Sequence, residues 1–361
     1  MHKLVLLFSL TMIFNNLFAQ NTYILNNTQG TPANYRTLQG ALDSVPAGSI
    51  ILMQGSGINY GLATVSKPVV IYGPGYFLGQ NNSPYTQANL NEAMLIQLVF
   101  TSGSQGSIIS GLSFEPRSQD DYNSNNRINI NATFNISINR CRIESNPANG
   151  GEHQSIAIIN STNVTISQCY IDLNAAVLCY FNNASGVLFK NNIIEGQPYL
   201  YIGSNFSSPP YSYSFQNNSM RGTIDDGSRF CNGNFINNVM INTGTGTTYT
   251  GCGMASADHN VSNINIFPGG TNITNADGAN TYVLYTNPAI SSNDGIYQLK
   301  LGSVAIGYGN DGTDAGAYGT PNTKYVFSGI PAIPNIYFAD VPQNGTTTGG
   351  LKVHLKIKAN N

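Results

Sequence analysis

The chain has 361 residues, only 9% of them are charged, and its formal net charge is −2. This balance leaves no basic surface for nucleic acid and no polybasic segment for a membrane, so nucleic acid is not expected as a partner. The 38 glycines and 21 tyrosines, with Ile and Val throughout, favour short strands separated by many turns. The composition therefore predicts an all-β protein.

The N-terminus has the layout of a secretory signal peptide. Lys3 precedes an apolar run at residues 4–14, and the small residue Ala19 follows it. The run is too short for a transmembrane helix, and no later stretch is apolar over the roughly 18 residues needed. We expect cleavage near Ala19 and an exported protein without a transmembrane segment, secreted or held in the periplasm or at the cell surface.

Residues 35–45 have the pattern of a short amphipathic helix. Leu38, Leu42 and Val45 recur at the spacing of one helix face. Two strand-like stretches follow, at 46–54 and 67–73. Ahead of a coil of stacked strands, such a helix would cover the open end of the apolar core.

A six-residue pattern recurs along the middle of the chain about every 25 residues. It has apolar or inward-facing residues at its first, fourth and sixth positions, and polar or small residues between them. Its copies lie at residues 109–114, 138–143, 166–171, 189–194, 215–220, 235–240 and 261–266. This alternation is that of short strands and not of helices, and stacking the copies would build one continuous core. The fold class predicted is an all-β, right-handed parallel β-helix solenoid with a short N-terminal capping helix.

The repeat assigns residues to columns that run along the coil. The sixth position is apolar in every copy, as a solenoid interior requires: Phe114, Ile143, Ile171, Ile194, Met220, Met240 and Ile266. The fourth position holds Leu112, Cys141, Cys169, Asn192, Asn218, Asn238 and Ile264. The three asparagines predict an internal amide ladder. Cys141 and Cys169 would be neighbours, either as a disulfide or as stacked thiols.

Several stretches resemble one known family. A "TLQ.AL" helix, a "PAGS" strand and a "KPVVIYG" strand in this order, with a closing "D.GAYG" turn at 314–319, look like secreted bacterial parallel β-helix proteins of the pectate-lyase-like superfamily. The resemblance covers roughly residues 35–320. It implies one β-helix domain at 20–320, followed by an extended linker at 321–350 and a C-terminal strand or tail at 351–361. The superfamily includes lyases, hydrolases, esterases, epimerases and non-enzymatic adhesins, so the fold does not choose among them.

The position after each repeat forms a further column, which we call the acidic column. It reads Glu115, Glu144, Asp172, Glu195, Arg221, Ile241 and Phe267. The repeat was aligned on apolar residues, and only 17 residues of the chain are acidic, so four successive carboxylates indicate a feature that packing does not explain. Neighbouring carboxylates would lie about 5 Å apart and repel each other.

Three hypotheses follow for the acidic column. Glu115, Glu144 and Asp172 could bind calcium, and the resemblance implies a lyase in which Arg142 or Arg221 is the base or neutralises charge. Alternatively, two carboxylates among Glu144, Asp172 and Glu195 could act on a glycosidic bond. In the third hypothesis the column is a solvated surface of an adhesin or cell-surface structural protein.

The expected partner is therefore a polysaccharide or cell-surface glycan, bound or cleaved by a monomer. Sugar-stacking faces near these turns are expected from aromatic residues: Tyr170, Tyr199, Tyr201, Tyr211 and Tyr213.

Overall fold

The strands form three parallel sheets that wind around one core, which confirms the predicted parallel β-helix. No helix in the described ranges has the length and apolar character needed to cross a membrane. This computed structural model describes residues 21–115, 126–145, 154–173, 177–196, 200–202, 212–222, 233–244, 254–267, 269–282, 291–320, 322–345 and 349–359. The predicted signal peptide lies outside these ranges.

Each full turn of the coil contributes one strand to each sheet. Over the described residues, the first sheet contains Thr22–Leu25, Ile50–Met53, Val70–Tyr72, Ile108–Ser110, Phe134–Asn139, Thr162–Ser167, Ser185–Lys190, Ser212–Gln216, Asn234–Ile236 and Ser256–Asp258. The second contains Met94–Leu95, Ser113–Phe114, Arg142–Glu144, Tyr170–Asp172, Ile193–Glu195, Ser219–Gly222, Val239–Asn242 and Val261–Ser262. The third contains Leu62–Val65, Gln97–Phe100, Ile128–Asn131, Gln154–Ile159, Val177–Asn182 and Leu200–Ile202.

The predicted capping helix is present at Leu38–Ser44. Thr37 is its N-cap, and the Thr37 side chain accepts a hydrogen bond from the backbone N–H of Gly40 at 3.2 Å. Leu38 and Leu42 are buried in the main core, and the helix packs beside the strand Leu62–Val65. The helix therefore covers the N-terminal end of the coil, as the spacing of its apolar residues predicts.

The inward columns are in the predicted register over six repeats. Successive members of the sixth position pair from strand to strand and are fully buried: Phe114, Ile143, Ile171, Ile194, Met220 and Met240. At the first position, the Phe189 and Phe215 rings stack with centroids 4.6 Å apart, and Phe215 and Phe235 stack at 5.1 Å. Stacking identical side chains at the strand spacing gives a dense apolar core.

The asparagine ladder is also present, and it is longer than predicted. Its members are Asn192, Asn218, Asn238, Asn260 and Asn272. The Nδ2 of each of the first four donates to the Oδ1 of the next member over a distance of 2.9 Å. The second Nδ2 hydrogen of each of the first four bonds a backbone carbonyl of a preceding turn. The ladder therefore satisfies a buried column of amides without water.

The bend before the ladder needs a left-handed backbone. The residues immediately ahead of the fourth position have φ between 51° and 57°: Arg140, Gln168, Asn191, Asn217, Asn237 and His259. Asparagine adopts this conformation more readily than most residues, which explains why Asn-Asn pairs occur at three successive bends.

The described cysteines Cys141, Cys169 and Cys179 are buried and free. The backbone N–H of Cys141 points to the Cys169 sulfur at 3.5 Å, so these two residues are the predicted neighbours and stack as thiols. Burial raises the pKa of Cys169 and Cys179, which makes them poor nucleophiles. Cys231 and Cys252 lie outside the described residues.

The predicted alignment of the last repeat, 261–266, is wrong. Val261 pairs with Val239, which occupies the fifth position of the preceding copy and not the first. Asn260 therefore holds the ladder position that the prediction assigned to Ile264, and it bonds Asn238 there.

The other two columns shift in the same way. The same register places Ser262 and Asn263 where Ile266 and Phe267 were predicted. Ile266 and Phe267 are nevertheless buried, and the Phe267 ring lies 6.0 Å from Phe235. They cover the C-terminal end of the core, a use of apolar residues that spacing alone does not distinguish from another repeat.

The described residues that follow the coil fold back over it. The ranges 269–282, 291–320 and 322–330 include the helix Gly278–Thr281 and the 3-10 turns Asn293–Tyr297 and Phe327–Gly329, and buried side chains from these ranges cover the outer face of the second sheet. The strands Asn335–Asp340 and His354–Lys358 then form an antiparallel hairpin. The first of these strands lies within the segment predicted as a linker, and the second is within the predicted C-terminal strand.

Candidate carboxylate site

The acidic column exists as a set of strand neighbours. Glu144 pairs with Asp172, Asp172 with Glu195, and Glu195 with Arg221. Glu115 follows Phe114, whose partner Ile143 precedes Glu144, so Glu115 continues the column. Neighbouring backbones in this register are about 4.8 Å apart. The structure therefore brings together the site residues that the repeat predicts.

The column lies at the margin of a covered face. The adjacent outward column is at most 8% exposed, because Phe77 packs on Arg142 and Tyr170 and buried side chains of the described residues that follow the coil pack on its other members: Arg142, Tyr170, Ile193, Ser219, Val239 and Val261. The charged side chains of the acidic column keep between 27% and 37% exposure: Glu115, Glu144, Glu195 and Arg221. These groups are therefore partly desolvated and still reachable from solvent.

Arg142 is the charge centre of the site. Its guanidinium pairs with Glu115, lies 3.5 Å from a Glu92 oxygen and 3.4 Å from a Glu144 oxygen, and sits 5.2 Å above the Phe77 ring. A buried guanidinium shared by three carboxylates is held as a counterion. Of the two predicted roles for Arg142, this environment favours charge neutralisation over proton abstraction.

Glu92 is a site residue that the sequence pattern did not reveal. It accepts hydrogen bonds from the Phe77 backbone N–H at 2.7 Å and from the Ser113 hydroxyl at 2.5 Å. Residues 74–92 connect the strand Val70–Tyr72 to the strand Met94–Leu95 and do not follow the repeat. No periodic signal could place Glu92 beside Arg142, because the contact is made by a connection outside the repeat.

Glu144 lies among groups that shift its pKa. Burial raises its pKa, and the neighbouring Asp172 and Glu92 raise it further, while Arg142 lowers it. The backbone oxygen of Glu144 accepts from Arg127 at 3.1 Å, which fixes the strand end. Glu144 therefore keeps its proton to a higher pH than an exposed glutamate does.

The other end of the column is held by hydrogen bonding. The Tyr170 hydroxyl donates to Glu195 Oε2 at 2.5 Å, and an Arg221 nitrogen lies 3.9 Å from Glu195 Oε1. Burial raises the pKa of Tyr170, and the neighbouring Glu195 raises it further, so its hydroxyl stays protonated and donates. Tyr170 thus fixes Glu195 in place.

The prediction of Tyr170 and Tyr213 as sugar-stacking surfaces is wrong. Tyr170 is 1% exposed and Tyr213 is 3% exposed. Tyr213 stacks on Phe181 inside the core, because its strand position points inward. The side chains of Tyr199, Tyr201 and Tyr211 lie outside the described part of the chain.

The residues proposed for calcium do not form a ready cation site. Among the described residues, no three His, Cys, Asp or Glu side chains are grouped to hold a metal ion. Glu115 and Glu144 both pair with Arg142, so a cation would have to displace that guanidinium. Calcium at Glu115, Glu144 and Asp172 stays a prediction, and no step below depends on it.

No protein-family model matches the chain, and no curated protein matches its sequence. Among solved structures, it is similar to the pectate lyase Pel9A, with 11% identity over 82% of this chain and 96% of that chain and a TM-score of 0.46. A pectin methylesterase in complex with a hexasaccharide matches 64% of this chain and 80% of its own, with 11% identity and a TM-score of 0.27. At these identities the likeness concerns the fold alone, a parallel β-helix.

Proposed function

We propose that this protein binds a polysaccharide along the acidic column and cleaves a glycosidic bond with Glu144 and Asp172. The observation that carries the proposal is their register: the two carboxylates occupy paired positions on adjacent strands at a solvent-reachable margin. The raised pKa of Glu144 supports it, because glycoside hydrolysis needs one protonated and one ionised carboxyl.

The roles follow from the environments. Glu144 gives its proton to the glycosidic oxygen, and ionised Asp172 attacks the anomeric carbon, so the leaving sugar departs and a glycosyl ester forms on Asp172. Water then attacks this ester while Glu144 takes up the water proton. Strand neighbours about 5 Å apart match the spacing of retaining enzymes. Arg142 moderates the charge around Glu144, and Tyr170 positions Glu195.

An exported adhesin or structural glycan-binding protein is the second candidate. The observation that favours it is that much of the column's charge is matched within the protein: Arg142 pairs with three carboxylates, and Glu195 has Tyr170 and Arg221. A column that is balanced in this way could stabilise the coil without reacting. The signal-like N-terminus agrees with both candidates, since both act on glycans outside the cytoplasm.

The two candidates are separated by an activity assay. The secreted chain is incubated with neutral and uronate polysaccharides, with and without calcium, and products are followed by reducing ends and by the absorbance of unsaturated sugars. Glu144→Gln and Asp172→Asn should each lower the rate by about a hundredfold or more. Asp43→Asn, on the exposed face of the capping helix, is the matched control and should leave it unchanged.

The outcomes are distinct. Reducing ends without unsaturation, lost in both variants, support hydrolysis. Calcium-dependent unsaturated products would replace it with lyase chemistry. Binding of a polysaccharide with no product would overturn the enzymatic proposal and leave the adhesin.

A further inference from the structure

A second surface lies on the first sheet of the coil, where the segment 330–339 crosses it. Ile24, Leu52 and Tyr72 pair on three successive strands and form its floor. The extended segment 330–339 forms its opposite wall, and the cavity between them has a volume of about 750 Å³. This volume lies within the range of ligand sites, about 300–1,000 Å³. We call this cavity the amide groove.

The lining of the amide groove carries no formal charge. None of the described residues that line it is Asp, Glu, Lys, Arg or His. The polar groups are instead mainly carboxamides: Asn26, Gln54, Gln87, Asn89, Asn91 and Asn335. Apolar side chains and prolines separate them. The groove therefore contrasts with the acidic column, which belongs to the second sheet.

The carboxamides are held in defined orientations. Asn26 donates to Gln54 Oε1 at 2.7 Å, Gln87 donates to the Pro74 carbonyl at 2.8 Å, and Asn89 donates to the Gly55 carbonyl at 3.1 Å. The side-chain oxygens of the same three residues each accept one hydrogen bond, from the Thr28 N–H, Asn335 Nδ2 and the Asn91 N–H respectively. An amide has two donor hydrogens and two acceptor lone pairs, so these bonds orient each group and leave one N–H and one lone pair for a ligand. Because the carboxamides are ordered before a ligand binds, the entropy cost of binding is lower.

We propose that the amide groove binds an uncharged oligosaccharide chain. Amides match sugar hydroxyls because both donate and accept hydrogen bonds, and the apolar floor with Tyr72 matches the C–H faces of pyranose rings. A uronate or sulfated sugar fits poorly, because its charge would enter a groove that provides no counterion. The ligand class is therefore a neutral glycan. The proposal does not depend on cleavage at the acidic column.

The wall of the groove offers a variant that blocks it without disturbing the core. Ala339 is exposed, lies on the strand Asn335–Asp340 and lines the groove. Ala339→Arg adds both bulk and charge there. Ala332→Arg is the matched control, since Ala332 is also exposed on the same segment but does not line the groove.

The test is calorimetric titration of the full chain with cello-, xylo-, manno- and galacto-oligosaccharides, and with oligogalacturonate as the charged probe. At least one neutral series should bind. Ala339→Arg should weaken the affinity for that series about tenfold or more, which corresponds to about 1.4 kcal/mol. Ala332→Arg should leave the affinity unchanged. Tyr72→Ala should also weaken it. Affinity lost in Ala339→Arg and product lost in Glu144→Gln are separate readouts, so this proposal and the proposed cleavage can fail separately.

Three results would overturn the proposal. The first is that no neutral series binds. The second is that binding is confined to oligogalacturonate. The third is that Ala339→Arg and Ala332→Arg have the same effect on affinity.

Discussion

The asparagine ladder and the acidic column are two polar columns produced by the same repeat, and they are stabilised in different ways. The ladder lies inside the bend and uses only itself and backbone carbonyls. The acidic column lies on the surface and depends on groups outside the column, such as Arg142 and Tyr170 of the adjacent column.

The difference follows from the chemistry of the two side chains. A carboxamide is both donor and acceptor, so identical amides stacked at the strand spacing satisfy one another. An ionised carboxylate only accepts and repels its neighbour, so a column of carboxylates needs added donors, counterions or protons. A column whose side chains satisfy one another's hydrogen bonds indicates a structural role. A column whose charges are neutralised by groups outside it can exchange those contacts for contacts with a ligand.

Breaking the ladder at a fully buried member should have the largest effect. Asn218 accepts from both the N–H and the Nδ2 of Asn192 and donates to the Phe189 carbonyl and to Asn238. Asn218→Leu keeps the branched shape of the side chain but leaves four buried polar groups without this partner, at about 1–3 kcal/mol for each that finds no other. We expect a loss of about 5 kcal/mol in the free energy of unfolding, measured by urea denaturation.

The end of the ladder is the control for this prediction. Asn272 is partly exposed and donates to the Ala257 carbonyl at 3.1 Å, so water can replace it. Asn272→Leu should cost about 1 kcal/mol. Equal costs at Asn218 and Asn272 would contradict the view that burial makes the ladder essential.

Removing the counterion of the acidic column should have the next largest effect. Arg142→Met leaves Glu92, Glu115 and Glu144 without their shared guanidinium, and the expected loss at neutral pH is about 3 kcal/mol. Arg142 lowers the pKa of Glu144, so without this counterion the folded-state pKa of Glu144 rises further above the unfolded value. The penalty is therefore present above the folded pKa and is relieved as pH falls below it, towards about 4.

Arg36→Met is the matched control for this pH dependence. Arg36 donates to the neutral backbone carbonyls of Asn26 and Thr28 at 3.0 and 2.8 Å. Its removal should cost stability equally at neutral and acidic pH. If the urea midpoints of Arg142→Met and Arg36→Met changed with pH in the same way, Arg142 would not stabilise the fold through its charge.

The smallest effect is expected at Glu144, and it should be stabilising. Burial and the carboxylates of Asp172 and Glu92 raise its pKa, so the ionised form lowers stability once pH exceeds the folded pKa. Glu144→Gln removes that charge and should raise the free energy of unfolding by less than about 1 kcal/mol at neutral pH. The gain should vanish in acid, where wild-type Glu144 is protonated, and thermal unfolding at the two pH values measures it.

Glu195→Gln is the comparison that sharpens this prediction. Glu195 accepts a hydrogen bond from buried Tyr170 and faces Arg221, so losing its charge should lower stability by about 1 kcal/mol. A gain in stability for Glu144→Gln together with a loss for Glu195→Gln would indicate that the Glu144 carboxylate lowers stability, as expected of a reacting group. A loss at Glu144 equal to that at Glu195 would favour a purely structural column.

Much of the coil could be predicted because its information is local and repeated. The capping helix at Leu38–Ser44 follows from a helical spacing, and the buried sixth column follows from one apolar residue per turn. The register of Glu144 with Asp172 then follows, since strand neighbours in a solenoid are one repeat apart. The predicted alignment of the last repeat was wrong because Ile266 and Phe267 cover the C-terminal end of the core. The sequence does not distinguish an apolar residue that covers the end from one that belongs to a further repeat.

Local and repeated sequence signals are therefore enough to specify the stacked coil, the amide ladder and the set of carboxylates that share one column. The environment of Arg142, which pairs with those carboxylates, depends on tertiary packing, because Glu92 and Phe77 contact it from a connection outside the repeat. Tertiary packing also decided that Tyr170 is buried and that segment 330–339 forms a groove. The physical reason is that periodicity specifies neighbours along the coil, whereas contacts across its surface are made by irregular segments whose path depends on packing.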